Sequence, residues 1–165
     1  MPAWVGLFLV LTACALQEGQ LQENVHVIKN NPGGTVIDYA MTSLHYQEEG
    51  SIVRFEGYCD SACTLLLGLP ADKLCIYKGA SFGFHRPYGA SKQANKAAEE
   101  YLYSQYPDWV RRWISDQGGL QSRIKRMPFE EASAHIKRCG HNREPVTPSI
   151  EEWIKDDAMR YPGDA

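Results

Sequence analysis

The sequence lacks an apolar run long enough to cross a bilayer: the stretch near its start, Ala3 to Ala15, falls short of the roughly 20 residues a spanning helix needs. It also lacks an excess of positive charge, with 17 Lys and Arg against 20 Asp and Glu, a formal net charge of -3 and a pI near 5.9. Nucleic acid is therefore not expected as a partner, because phosphate binding is driven by basic surfaces that release counterions. Residues 107–141 lean the other way, with seven Lys or Arg against four Asp or Glu, and read as solvated helix faces. No GxxxxGK[ST] motif occurs, so the chain has no ATP-driven unfolding of its own, and substrates are restricted to short, unfolded or loosely folded chains. No CxxC accompanies the neighbouring His135, Cys139 and His141, which sets a zinc site aside. No metal or other cofactor is expected. Repeats and low-complexity tracts are absent too.

What is present suffices for one folded unit. The 165 residues are 44% hydrophobic, with four Trp, nine Tyr and five Phe to fill a core. Residues 1–15 read as a secretory signal, apolar and followed at once by polar residues. Its end, Leu11-Thr12-Ala13-Cys14, resembles a bacterial lipobox, in which the cysteine is acylated and anchors the chain to the membrane. No Lys or Arg precedes the apolar run, so cleavage near Ala15 and an uncleaved anchor both stay open. Export to a bacterial periplasm or envelope changes what cysteine means. Cys59, Cys63, Cys75 and Cys139 then sit in an oxidising compartment, where four cysteines allow three full pairings.

Along the chain, "VHVIK" (25–29) is a β-rich run closed by the turn formers of "NNPGG". Thr35 is an acceptable N-cap, and Val36, Ile37, Ala40, Met41 and Leu44 recur at helical spacing until Gly50. "SIVRF" (51–55) is a second strand, Gly57 a turn, and "SACTLLLGL" (61–69) a buried helix with Ser61 near its first turn. "KLCIY" (73–77) and "SFGFH" (81–85) are further strands. Strand alternating with helix predicts βαβ units with parallel pairing, and sites form at the carboxyl ends of such strands. After His85, "KQANKAAEEYLYSQY", "PDWVRRWISDQ", "LQSRIKR" and "PFEEASAHIKR" all suit helices, broken at Gly118-Gly119, so the second half is predicted to be a helical layer. The organisation expected is a signal segment over 1–15, a folded domain over 16–141 and a polar tail over 142–165. That tail carries a short helix in "SIEEWIKDDAMR", where Ser149 and Glu152 have capping-box spacing.

A serine hydroxyl becomes a useful nucleophile only beside a base, and the oxyanion it creates needs preorganised N–H donors. Ser61 sits where strand turns into helix, with the helix N-terminus and the Ala62 N–H beside it. His85 follows 24 residues later at the end of a strand and can serve as base, and the Gly33-Gly34 turn can offer a second amide without a side chain in the way. Each feature alone also fits a plainer role: a helix cap, a hydrogen-bonded strand-end histidine, a simple turn.

Their order, Asn31-Pro32-Gly33-Gly34, a helix, Gly57-x-x-x-Ser61-Ala62 and then Phe84-His85, resembles the serine peptidase branch of the Clp protease and crotonase superfamily over roughly residues 25–139. "CDSACT", "GFH" and "YPDWVRRWISDQGGL" resemble small exported relatives of that peptidase. The resemblance implies an α/β fold with a ClpP/crotonase-like βαβ core, truncated at its N-terminus and completed by a C-terminal helical layer. It implies a catalytic Ser61 and His85, an oxyanion hole from the Gly34 and Ala62 amides, and a peptide or unfolded-protein substrate, with a homo-oligomer as in its relatives. For the acid, Glu131 falls nearest by spacing from Gly118, with Glu130 and Asp116 as alternatives. Asn31 stands where the family has serine. A disulfide among Cys59, Cys63 and Cys75, with Cys59–Cys75 as one pairing, would fix the turn at Ser61. The activity implied is that of an exported serine hydrolase of peptidase type; an inactive envelope module that keeps the fold for binding or assembly, and an esterase, are the other readings.

Overall fold

A computed structural model describes residues 24–140. The signal segment with Cys14, His141 and the helix expected over 149–160 lie outside the described residues. In chain order the elements are β1 (Val25–Ile28), α1 (Val36–Glu48), β2 (Ile52–Phe55), β3 (Tyr58–Asp60), a 3-10 helix (Ser61–Gly68), a second single-turn one (Ala71–Lys73), β4 (Leu74–Ile76), β5 (Ser81–Phe84), α2 (Lys92–Gln105), α3 (Asp108–Asp116), β6 (Lys125–Met127) and α4 (Phe129–Ala132). The result is a mixed α/β fold with two three-stranded sheets, ordered β1-β2-β4 and β3-β5-β6.

The first sheet is parallel throughout, as the alternation of elements predicts. Thr35 caps α1 by accepting a hydrogen bond from the Asp38 N–H at 3.2 Å, which satisfies one of the free amides of the first turn. Val36, Tyr39, Ala40 and Tyr46 pack α1 on the core, while Ile37, Met41 and Leu44 stay exposed on its other side.

The second sheet arises because each chain of the first bends and continues. Glu56-Gly57 turns β2 into β3; Gly57 lies so close to the Asn30 backbone N, at 2.8 Å from where a Cβ would stand, that only glycine fits the corner. The turn after β4, with Gly79 at φ 95°, leads into β5. Asn31, just after β1, bridges in parallel to Cys59 of β3. Phe55 and Phe82 meet edge-on at 4.9 Å where the two sheets share one core.

Residues 58–60, to which the sequence assigned no element, form a strand because their backbone pairs with β5. Three expectations are corrected. "LQSRIKR" is not helical: Gly118 and Gly119 both take positive φ, and the chain runs back antiparallel to β5 as β6, burying Met127. The helix expected over 128–138 is only the single turn Phe129–Ala132, since Arg138 bridges to Ile76 and Cys139 is bonded to Cys75. The disulfides are Cys59–Cys63 and Cys75–Cys139, not Cys59–Cys75. Cys59 is the middle residue of β3 and Cys63 lies in the first turn of the 3-10 helix that follows, which brings their Cα atoms to 5.4 Å. Cys139 is bonded to Cys75, and the His135 ring stacks on Trp109 at 4.7 Å.

Candidate active site

Parallel pairing in the second sheet brings three loops to one edge. Asn31 pairs with Cys59, and Asp60 with Gly83, so the segments leaving Asn31, Asp60 and Phe84 emerge side by side with the Ser61 segment in the middle. Neighbouring strands lie about 4.8 Å apart. The chain leaves β3 at Asp60 and β5 at Phe84, so Ser61 and His85 follow directly from neighbouring strand ends.

Ser61 takes φ 57°, the left-handed region that L-residues with a Cβ avoid. Such a backbone persists only where its surroundings hold it, and here three constraints do. The Cys59–Cys63 disulfide spans the turn, and both cysteines are fully buried. Thr64 Oγ donates to the Ser61 carbonyl at 2.6 Å. Gly33, at φ 85°, packs so tightly on the turn that an added Cβ would stand 2.5 Å from the Asp60 carbonyl and 2.7 Å from the Ser61 Cβ.

Before Ser61 stands a salt bridge that the sequence analysis missed. Asp60 is buried, and Arg126 of β6 grips its carboxylate with two hydrogen bonds of 2.8 Å. Gly83 on β5 admits the carboxylate, because a side chain there would strike Asp60 Oδ1. The signal was available in "SFGFH", a strand with glycine in its middle, but its partner lay in a segment read as helix.

Ser61, Ala62, His85, Gly33 and Gly34 all line one cavity of about 650 Å³, walled by residues of α1 and α2 such as Val36, Ala98 and Leu102. Among the described residues neither the Gly34 nor the Ala62 amide has a hydrogen-bond partner. The Gly33 amide, in contrast, is taken by Asn31 Oδ1 at 2.8 Å, and the same oxygen accepts the Tyr39 hydroxyl at 2.6 Å. Asn31 thereby shapes the turn that leaves Gly34 free, a role its spacing alone did not reveal.

His85 is half-buried at the cavity wall. Its Nδ1 lies 2.8 Å from the Arg86 carbonyl. A carbonyl only accepts, so Nδ1 carries a proton; in the neutral ring that assigns the lone pair to Nε2, the tautomer a general base needs. No hydrogen bond joins Ser61 Oγ to His85 among the described residues, although both face the same space. Glu131 is held elsewhere: it accepts the Trp113 indole N–H, and Trp113 in turn packs on Phe84 at 5.4 Å. Glu130 and Asp116 are exposed, and none of the three carboxylates lines the cavity.

No family model and no curated protein matches this chain. Among solved structures, an asparagine-to-aspartate mutant of ClpP1 from Listeria monocytogenes is similar, with a TM-score of 0.46 and 14% identity over 73% of this chain and 76% of that one.

Proposed function

We propose that the protein is a serine hydrolase of peptidase type, built on a distant ClpP/crotonase-like fold, with Ser61 as nucleophile and His85 as its base. The observation that carries this reading is the left-handed Ser61, constrained at the carboxyl edge of a sheet and sharing one cavity with a histidine whose Nδ1 is engaged by a backbone carbonyl and with two free backbone amides. In the reaction, His85 Nε2 takes the Ser61 hydroxyl proton as Oγ attacks the substrate carbonyl. The Gly34 and Ala62 N–H groups hold the oxyanion. The imidazolium then protonates the leaving amine or alcohol, and water, deprotonated by the same nitrogen, releases the acid from the ester on Ser61. His85 is oriented by the Arg86 carbonyl rather than by Glu131. In the serine protease template the loss of a properly oriented carboxylate lowers turnover about ten-thousand-fold, so slow turnover is expected.

The two disulfides fit an oxidising, extracytoplasmic environment. Export behind the signal segment, with or without a lipid on Cys14, belongs to the same proposal, as do a peptide or unfolded-chain substrate and a homo-oligomeric assembly.

A fluorophosphonate probe tests the reaction. Folded wild type should be labelled on Ser61, with Ser61→Ala unlabelled and His85→Ala labelled at least about a hundredfold more slowly. The separation of Glu131 from His85 favours the second reading, an inactive binding module. Unlabelled wild type that binds peptide equally well with or without Ser61 and His85 would establish that reading instead. Hydrolysis of simple acyl esters but not peptides would make the protein an esterase.

A further inference from the structure

The amide assigned to the oxyanion hole belongs to a peptide unit whose other end is pinned from inside the core. Ser61 C=O and Ala62 N–H lie in one plane, and in a trans peptide they point to opposite sides. Whatever holds the carbonyl inward therefore aims the N–H outward.

Within the 3-10 helix the Thr64 N–H turns back to this carbonyl, and a pair of buried hydroxyls reinforces the hold. Thr64 Oγ lies 2.6 Å from the Ser61 carbonyl and 2.6 Å from the Tyr106 hydroxyl. Thr64 is fully buried and Tyr106 only 2% exposed, so neither has water as an alternative partner. Proton accounting fixes the direction of both bonds. Thr64 has a single hydroxyl hydrogen, and the carbonyl can only accept it; Tyr106 must then donate into a lone pair of Thr64. Burial pushes the Tyr106 phenol well above its ordinary range, which keeps that donor protonated. If the Ser61–Ala62 unit turned over, its N–H would face Thr64, the Thr64 hydrogen could pass only to the Tyr106 oxygen, and the Tyr106 hydrogen would lose its acceptor.

Tyr106 is itself anchored. It caps the end of α2, its amide donates to Leu102 at 3.1 Å, and its carbonyl accepts from Arg111 at 2.6 Å. Its ring meets Phe84, the residue before His85, edge-on at 5.6 Å. One side chain from the helical layer thus supports both Ser61 and the strand end that carries His85.

We propose that Thr64 and Tyr106 are positioning residues: their hydroxyl relay sets the orientation of the Ser61–Ala62 peptide unit and so turns the Ala62 N–H into the cavity. The orientation follows from the geometry alone, and its effect on catalysis rests on the hydrolase reading above.

The test uses Thr64→Val, which removes the hydroxyl and keeps the shape, Thr64→Ser, which keeps the hydroxyl, and Tyr106→Phe. Two readouts are taken in the oxidised protein well below its melting temperature: hydrogen exchange of the Ala62 amide by NMR, and the rate constant of fluorophosphonate labelling. Thr64→Val should change Ala62 exchange at least about tenfold and slow labelling about tenfold or more, within the range seen when an oxyanion donor is lost. Thr64→Ser should return both to near wild type, and Tyr106→Phe should fall between. Folded Thr64→Val with unchanged Ala62 exchange overturns the proposal, as does a Thr64→Ser variant impaired as severely as Thr64→Val. Should wild type prove unlabelled while Ala62 exchange still responds to Thr64→Val and recovers in Thr64→Ser, the positioning role stands and the hydrolase reading falls. Normal labelling in folded Thr64→Val leaves that reading intact and removes the catalytic role assigned to the relay. If Thr64→Val does not fold, Tyr106→Phe decides: it should slow labelling and alter Ala62 exchange, and wild-type values for both would overturn the proposal.

Discussion

Tyr106 is the residue whose ionisation the fold resists most. Burial raises its pKa above the ordinary value near 10. Tyr46 and Tyr103 are raised too, again chiefly by burial, but both are less enclosed. For an acid with a raised folded pKa, the contribution to stability is complete below the unfolded value and declines above it, because the unfolded chain releases the proton first. Stability to denaturant should therefore fall as pH rises beyond about 10, by up to about 1.4 kcal/mol per pH unit from Tyr106. In Tyr106→Phe the decline should be shallower, which chemical denaturation at pH 9, 10 and 11 would measure.

At the same scale, the grouping of Ser61, His85, Gly34 and Ala62 around one cavity was legible from the order of their motifs along the chain, since each signal alone also fits a plainer role. Their supports were not. Thr64 and Tyr106 are 42 positions apart, and Asp60 and Arg126 are 66 apart, so nothing in the linear order pairs them.

Among the elements, the loop from Asn31 to Gly34 carries the strictest steric demand. Gly33 combines positive φ with a wall of backbone at the place a Cβ would occupy. Gly33→Ala should therefore cost about 2 kcal/mol or more in stability and slow labelling of Ser61 even in the fraction that folds. Gly79→Ala makes a control, since its φ is also positive but open space surrounds it. It should destabilise by strain alone and leave labelling unchanged. Calorimetry and probe kinetics on the two variants separate strain from obstruction.

Strand and helix periodicity recovered β1, α1, β2, β4, β5, α2 and α3. It failed for β6, because Leu120 and Ile124 stand four apart and mimic a helical face, whereas the actual fold is set by pairing with β5. It failed in part for "SACTLLLG", where an unbroken apolar run shows burial but has no period to distinguish a 3-10 helix from an α-helix.

For the whole molecule, the parallel first sheet was legible and the division into two sheets was not. The bend depends on how closely Gly57 approaches Asn30, a contact between residues far apart in sequence. The two disulfides divide their work by loop size. Cys75–Cys139 closes a separation of 64 residues and ties the last described segment to β4, whereas Cys59–Cys63 closes only four. On the chain-entropy account, replacing the first pair with alanines should cost about 4 kcal/mol and the second about 2 kcal/mol. Probe labelling should show the reverse order, with the greater loss in Cys59→Ala/Cys63→Ala. Equal effects in both assays would mean that the short loop has no special bearing on Ser61.

The Cys59–Cys63 bond makes a small macrocycle of the segment that holds Ser61, lodged in a protein rather than free in solution. Asp60, Ser61 and Ala62 have little room to reorient singly within such a ring. Any excursion that displaces the serine hydroxyl must swing the ring as a body, drawing the Asp60 carboxylate from the Arg126 fork at the same moment. Ser61 is thus geared to the salt bridge of its neighbour.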